Sequence, residues 1–136
     1  MALDVGGRRI GVAMSDPTRT LSSPLTTLRA EPREQALQRI AQLIRENEVV
    51  ELVVGLPLTL SGEIGPQAKV VQEFIAALSA VVALPIKTFD ERLTSVEAER
   101  IMVELGLKPE QRKARIDEVA ASIILQDFLD STRDRS

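Results

Sequence analysis

Three carboxylates stand in stretches of this chain that otherwise avoid charge. Asp4 interrupts the opening run "MALDV", Glu91 with Asp90 beside it ends the segment "LPIKTFDE", and Asp117 shares a helical stripe with Ala121, Ile124 and Phe128. Taking an unpaired carboxylate out of water costs on the order of several kcal/mol, so each needs a partner. The chain has no His and no Cys. That removes disulfides, zinc held by thiolate or imidazole, Ser-His-Asp and Cys-His nucleophiles, and histidine as general base. Chemistry here must run on carboxylates, lysines, hydroxyls or bound ions. An oxygen-only metal site favours Mg²⁺, Mn²⁺ or Ca²⁺, and one divalent cation is the simplest common partner for three acids distant in sequence.

Each acid also has a plainer explanation. Asp4 could pair with Arg8, Arg9 or Arg92, and Asp90-Glu91-Arg92 could be a solvated strand end. Asp117 could lie near the start of its helix, favoured by the dipole there and paired with Lys113.

The rest of the composition bounds the setting. A chain of 136 residues fits one compact domain that buries about two-thirds of its unfolded surface. We assign that domain to residues 1–130, with a frayed tail at 131–136. The longest nearly apolar stretch, Ala76 to Leu84, stops at Pro85, far short of a membrane span, and no signal-peptide pattern follows Met1. We therefore expect a cytoplasmic protein. With three Phe, no Trp and no Tyr there is little to stack on unpaired bases, and the net charge of −3 leaves room only for a local basic face.

The elements that must position the acids follow from pattern. If Gly7-Arg8 forms a two-residue type II′ turn, the facing pairs are Val5 with Ile10, Asp4 with Gly11, Leu3 with Val12 and Ala2 with Ala13. One hairpin face is then bulky, and the other sets Ala2, Gly11 and Ala13 around Asp4, leaving room for a ligand or a packed helix. Pro24 to Arg29 supplies a third strand. A helix starting at Pro32 turns Ala36, Leu37, Ile40 and Ile44 inward. "VVELVVG" reads as a strand buried on both faces. After the loop Leu56 to Gly65, a helix from Pro66 presents Val70, Val71, Phe74, Ile75 and Leu78. "LPIKTFDER" is the next strand, whose carboxyl end is where ligands bind in open α/β sheets. Thr94 and Glu97 form a capping box for a helix with Ala98, Ile101, Met102 and Leu105 inside, ended by Gly106. A last, largely buried helix spans about Arg115 to Leu129. The order β-β-β-α-β-α-β-α-α predicts an α/β fold with a mixed sheet.

Four of these stretches, "ALDVGGRRIGVAMSD", "VVGLP" with "SGEIGPQAKVV", "FDERLTS" and "KARIDEVAASIILQDFL", occur in an order and at spacings that resemble the YqgF family of Holliday-junction-resolvase-like or precursor ribosomal RNA nucleases. The likeness runs from Ala2 to Leu129. It implies an RNase H-like fold, with a five-stranded mixed sheet, three antiparallel strands first, and helices on both faces. It also implies that Asp4, Glu91 and Asp117 are the catalytic and metal-binding acids for one or two Mg²⁺ or Mn²⁺ ions. Asp90 is the alternative to Glu91, because strand alternation turns only one of them toward Asp4. The implied reaction is metal-assisted hydrolysis of a phosphodiester, with Arg8, Arg9, Arg92, Lys113 and Arg115 on the phosphate backbone and Lys108 and Arg112 nearby. A fourth acid, frequent in the last helix of related nucleases, has no counterpart on the apolar face, and Gly7 stands where a lysine is usual.

The expected substrate is the 5′ end of precursor 16S ribosomal RNA, engaged alone or on a ribosomal particle, with weak and strongly salt-dependent affinity. Branched DNA is the alternative. Two other readings compete. The opening hairpin also resembles the phosphate-binding hairpin of sugar-kinase and actin-type ATPases, although those need two such domains. The chain could also be a nucleic-acid- or ribosome-binding module with little catalysis.

Overall fold

The computed structural model describes residues 1–59, 61–91 and 100–133. Its strands are β1 (Ala2–Val5), β2 (Arg9–Ser15), β3 (Ser22–Arg29), β4 (Leu52–Leu56) and β5 (Ile86–Asp90). Between and after them run α1 (Arg33–Glu46), α2 (Pro66–Ser79) and the long α3 (Pro109–Arg133). The strands form one sheet in the order β3-β2-β1-β4-β5. β1, β2 and β3 pair antiparallel, and β4 joins β1 and β5 in parallel. This is the mixed five-stranded sheet expected, with β1 at its centre.

Strand alternation divides the core in two. Leu3, Val5, Ile10, Val12, Leu52 and Val54 point to one face, where Leu37, Ile40 and Ile44 of α1 and Val71, Phe74 and Leu78 of α2 cover them. Ala2, Ala13 and Val53 point to the other, beneath Ala121, Ile124, Leu125 and Leu129 of α3. Two helices thus share the bulky face, whereas among the described residues α3 alone lies close against the small one.

Several element details differ from expectation. Val70 is exposed because the inward stripe of α2 is set by Ala68, Val71, Phe74 and Leu78. Residues 100–104 are helical and Gly106 follows at φ +78°, as a left-handed stop requires. Met102 is fully buried against Val119, Ala120 and Ile123, but Leu105, expected inside, is exposed. Thr94, Glu97 and Ala98 lie outside the described residues. The last helix begins six residues before Arg115 and runs to Arg133, four residues past Leu129. Its final turn is supported by Ser131 and Thr132 hydroxyls donating to the Phe128 and Leu129 carbonyls.

Candidate active site

The β1–β2 hairpin has the expected register, pairing Ala2 with Ala13, Leu3 with Val12, Asp4 with Gly11 and Val5 with Ile10. The turn is another matter. Gly7 is not at positive φ, so the type II′ geometry is absent, and the Gly6 amide closes the hairpin by donating to the Arg9 carbonyl at 2.8 Å. Register here is imposed by the two faces rather than by the turn.

Gly11 explains how Asp4 acquires its surroundings. A Cβ at this position would fall on the backbone carbonyl of Asp117, so α3 rests its main chain directly on β2. The space around Asp4 is therefore filled in part by a packed helix, and that helix delivers the third acid.

Glu91 reaches the same face from two strands away. Along β5, Lys87 and Phe89 point toward α3: the Lys87 ammonium lies 5.6 Å from the Phe128 ring centroid, and Phe89 meets the same ring edge-on at 6.3 Å. Two residues further, alternation turns Glu91 to this face and leaves Asp90 exposed. Glu91, not Asp90, is thus the acid that meets Asp4. Its carboxyl group lies over Gly55 of β4, beside the Ile124 methyl, in space that any side chain at residue 55 would occupy. The Leu3–Val54 pairing brings Asp4 to the rung beside Gly55. An isolated Gly inside an apolar strand signals such a close approach, and it was the one cue to this role in the sequence.

Asp4 and Glu91 are hydrogen-bonded through their side chains. Burial is the main force on both, raising each carboxyl above its ordinary range. The Asp4 charge adds to it and Glu91 is pushed up to about 9, while Asp117 adds a smaller upward push on Asp4. The consistent arrangement is a neutral Glu91 donating to an Asp4 carboxylate, one proton shared by two acids.

Asp117 stands apart from that pair. Its Oδ2 accepts from the Arg9 Nε at 2.8 Å. The dipole explanation does not hold for it, because α3 starts at Pro109 and Asp117 lies beyond the reach of the helix N-terminus; the partner seen among the described residues is Arg9. The Lys113 side chain and all of Arg92 lie outside the described residues. Of the other expected phosphate contacts, Arg8 is exposed at the hairpin tip and Arg115 Nε bonds Glu118 at 3.2 Å. Arg112 donates to the Leu107 carbonyl.

Does this donor set suit a divalent cation? Two partly buried carboxylates that must share a proton gain from a dipositive partner, and the glycines at 11 and 55 keep side chains out of the cradle. The oxygen chemistry fits Mg²⁺ or Mn²⁺. Among the described residues, however, no three acidic groups converge closely enough to hold one ion as they stand, because Asp117 is turned onto Arg9.

Comparison with known proteins agrees with the fold and the motif order. Over 133 residues the chain is 68% identical to the "Putative pre-16S rRNA nuclease" of Roseiflexus sp. (strain RS-1), covering 98% of this chain and 94% of that protein. It is 57% identical over 133 residues to the protein of the same name from Chloroflexus aurantiacus, covering 98% and 87%. Among solved structures it is similar to T. thermophilus RuvC in complex with a Holliday junction substrate, with a TM-score of 0.57 at 12% identity, covering 96% of this chain and 92% of that one. The Fowlpox virus resolvase bound to junction DNA gives a TM-score of 0.54 at 10% identity, covering 96% and 95%. These likenesses establish the resolvase-type, RNase H-like architecture. The model of one family, described as "RuvX: Holliday junction resolvase", matches residues 1–131, and with relatives this similar over nearly their full length the chain belongs to that family, also called YqgF.

Proposed function

We propose that this protein is a divalent-metal-dependent nuclease that hydrolyses phosphodiester bonds in maturation of the 5′ end of precursor 16S ribosomal RNA. The observation that carries the reading is the partly buried, hydrogen-bonded Asp4–Glu91 pair, with Asp117 on the helix above. The relatives' names point to the RNA substrate. Among the described residues no helix is long and apolar enough to cross a membrane. A part in ribosomal RNA maturation would be played in the cytoplasm.

Asp4, Glu91 and Asp117 would hold the Mg²⁺ or Mn²⁺. Bound there, the cation supplies activation of a water and charge stabilisation at the scissile phosphate. The protein's own part is to position and to desolvate. The pair must release its shared proton to become a full ligand set, so engagement of the ion is favoured as pH rises. Arg8, Arg9 and Arg115 face the solvent side and hold the backbone, while Ile124 keeps the inner side dry.

The test is cleavage of structured precursor RNA, single-stranded RNA and a four-way DNA junction with Mn²⁺, Mg²⁺ or EDTA. Cleavage of the precursor, stopped by EDTA and by Asp4→Asn with substrate binding retained, is expected. A junction cut in preference to RNA would favour the resolvase reading, which the family description and the two junction-bound neighbours support. Metal-independent binding without cleavage, unchanged by Asp4→Asn, would leave a binding module instead.

A further inference from the structure

We propose that Arg9 is a positioning residue for Asp117: it holds that carboxylate off the Asp4–Glu91 pair until a phosphodiester draws its guanidinium away, so that divalent cation and nucleic-acid backbone bind cooperatively. The proposal rests on the metal-site reading above and adds an order to it.

Strand alternation brings the two groups together. Arg9, Gly11 and Ala13 leave β2 on the same face, and α3 touches that face at Gly11 with the backbone of Asp117 itself. Arg9, two residues along, therefore projects beside the Asp117 side chain, and their ion pair is the outcome. Among the described residues no three acids form one ligand set, and this pair is what occupies the Asp117 carboxylate.

It is also built to open. The Arg9 side chain is 49% exposed and that of Asp117 21%, so an approaching anion meets the guanidinium before the carboxylate. An ion pair this open to solvent is weakly held, whereas a phosphate accepts the guanidinium in a bidentate, charge-assisted pair. Arg29 lies directly across the ladder from Arg9 on the same face, and Arg8 precedes it at the exposed tip. Three guanidinium groups at one corner offer the backbone a landing point from which Arg9 need move only away from Asp117. Once released, Asp117 is a third carboxylate available to the pair. The coupling is reciprocal by necessity: whatever the phosphodiester does for the cation, the cation does for the phosphodiester.

The experiment is calorimetric titration of Mn²⁺ into the protein, with and without a 20-nucleotide phosphorothioate RNA whose own Mn²⁺ uptake is measured as a blank. For the wild type, the oligonucleotide should tighten Mn²⁺ binding by at least about fivefold, the lower end of ordinary allosteric coupling. Arg9→Gln and Arg9→Ala, both checked for folding by circular dichroism, should tighten Mn²⁺ binding about fivefold without any oligonucleotide and lose most of the coupling. Arg9→Lys should restore the wild-type pattern. A purely structural Arg9 would instead give variants with unchanged or weaker Mn²⁺ affinity, which overturns the proposal. Asp4→Asn separates this from failure of the underlying reading. If Asp4→Asn takes up Mn²⁺ as the wild type does, the metal site itself falls. If it loses Mn²⁺ while the Arg9 variants gain nothing, only the gate is wrong.

Discussion

Replacing Glu91 with Gln tests the shared proton without touching the shape of the site. Glutamine keeps the donor toward Asp4 but has no proton to surrender. In the folded wild type Glu91 stays protonated up to about 9, whereas in the unfolded chain it ionises near 4.5. Between those values the folded state binds the extra proton, so the contribution of Glu91 to stability is fully present below about pH 4.5 and is lost as pH rises toward about 9. At about 1.4 kcal/mol per pH unit the decline reaches about 3 kcal/mol by neutrality, an upper bound because Asp4 shares the titration. Glu91→Gln removes this slope. Its stability relative to wild type should be close to even near pH 4.5 and should rise to an advantage of about 1–3 kcal/mol near pH 7. Urea unfolding in EDTA at a series of pH values measures both curves. Parallel curves, or a variant that loses stability as pH rises, would refute the shared proton and with it the argument for a cation-seeking pair.

Two further substitutions probe the packing that builds the site. Gly11→Ala puts a methyl on the Asp117 carbonyl and must push α3 off β2; a loss of about 3 kcal/mol or more in thermal unfolding is expected, with cleavage lost even where the fold survives. Thr27, paired with Gly11 on β3, has a buried hydroxyl with no hydrogen-bond partner among the described residues, so Thr27→Val should be neutral or stabilise by about 1 kcal/mol in the same assay.

The sequence spoke most clearly where one residue type had one physical use. The hairpin register was read from a two-residue turn placed at Gly7-Arg8; the register is right although the turn is not type II′, because the contrast between Leu3, Val5, Ile10 and Val12 on one side and Ala2, Gly11 and Ala13 on the other holds it, a slip of one residue exchanging the faces. The same contrast isolated Asp4. Choosing between Asp90 and Glu91 needed the β4–β5 register, which fixes Phe89 and hence Glu91 toward α3. The Arg9–Asp117 pair was hidden because it depends on where a helix 108 residues later crosses β2; proximity in sequence pointed to Lys113, whose side chain lies outside the described residues. The exposed Val70 and Leu105 show the limit of helical periodicity: a stripe wider than its groove leaves its margin in solvent.

Gly55 gives the site its ruler. Asp4 lies on β1 and Glu91 just past the end of β5, with β4 between them, a span of about 9.5 Å that two short acidic side chains bridge only by leaning inward over the strand between. What lets them touch is an omission: the intervening rung carries no side chain. The separation of the two acids is thus written in a residue with no functional group at all. A survey that ranks positions by lost activity would place Gly55 among the reacting residues, although its contribution is to be empty space of the right width.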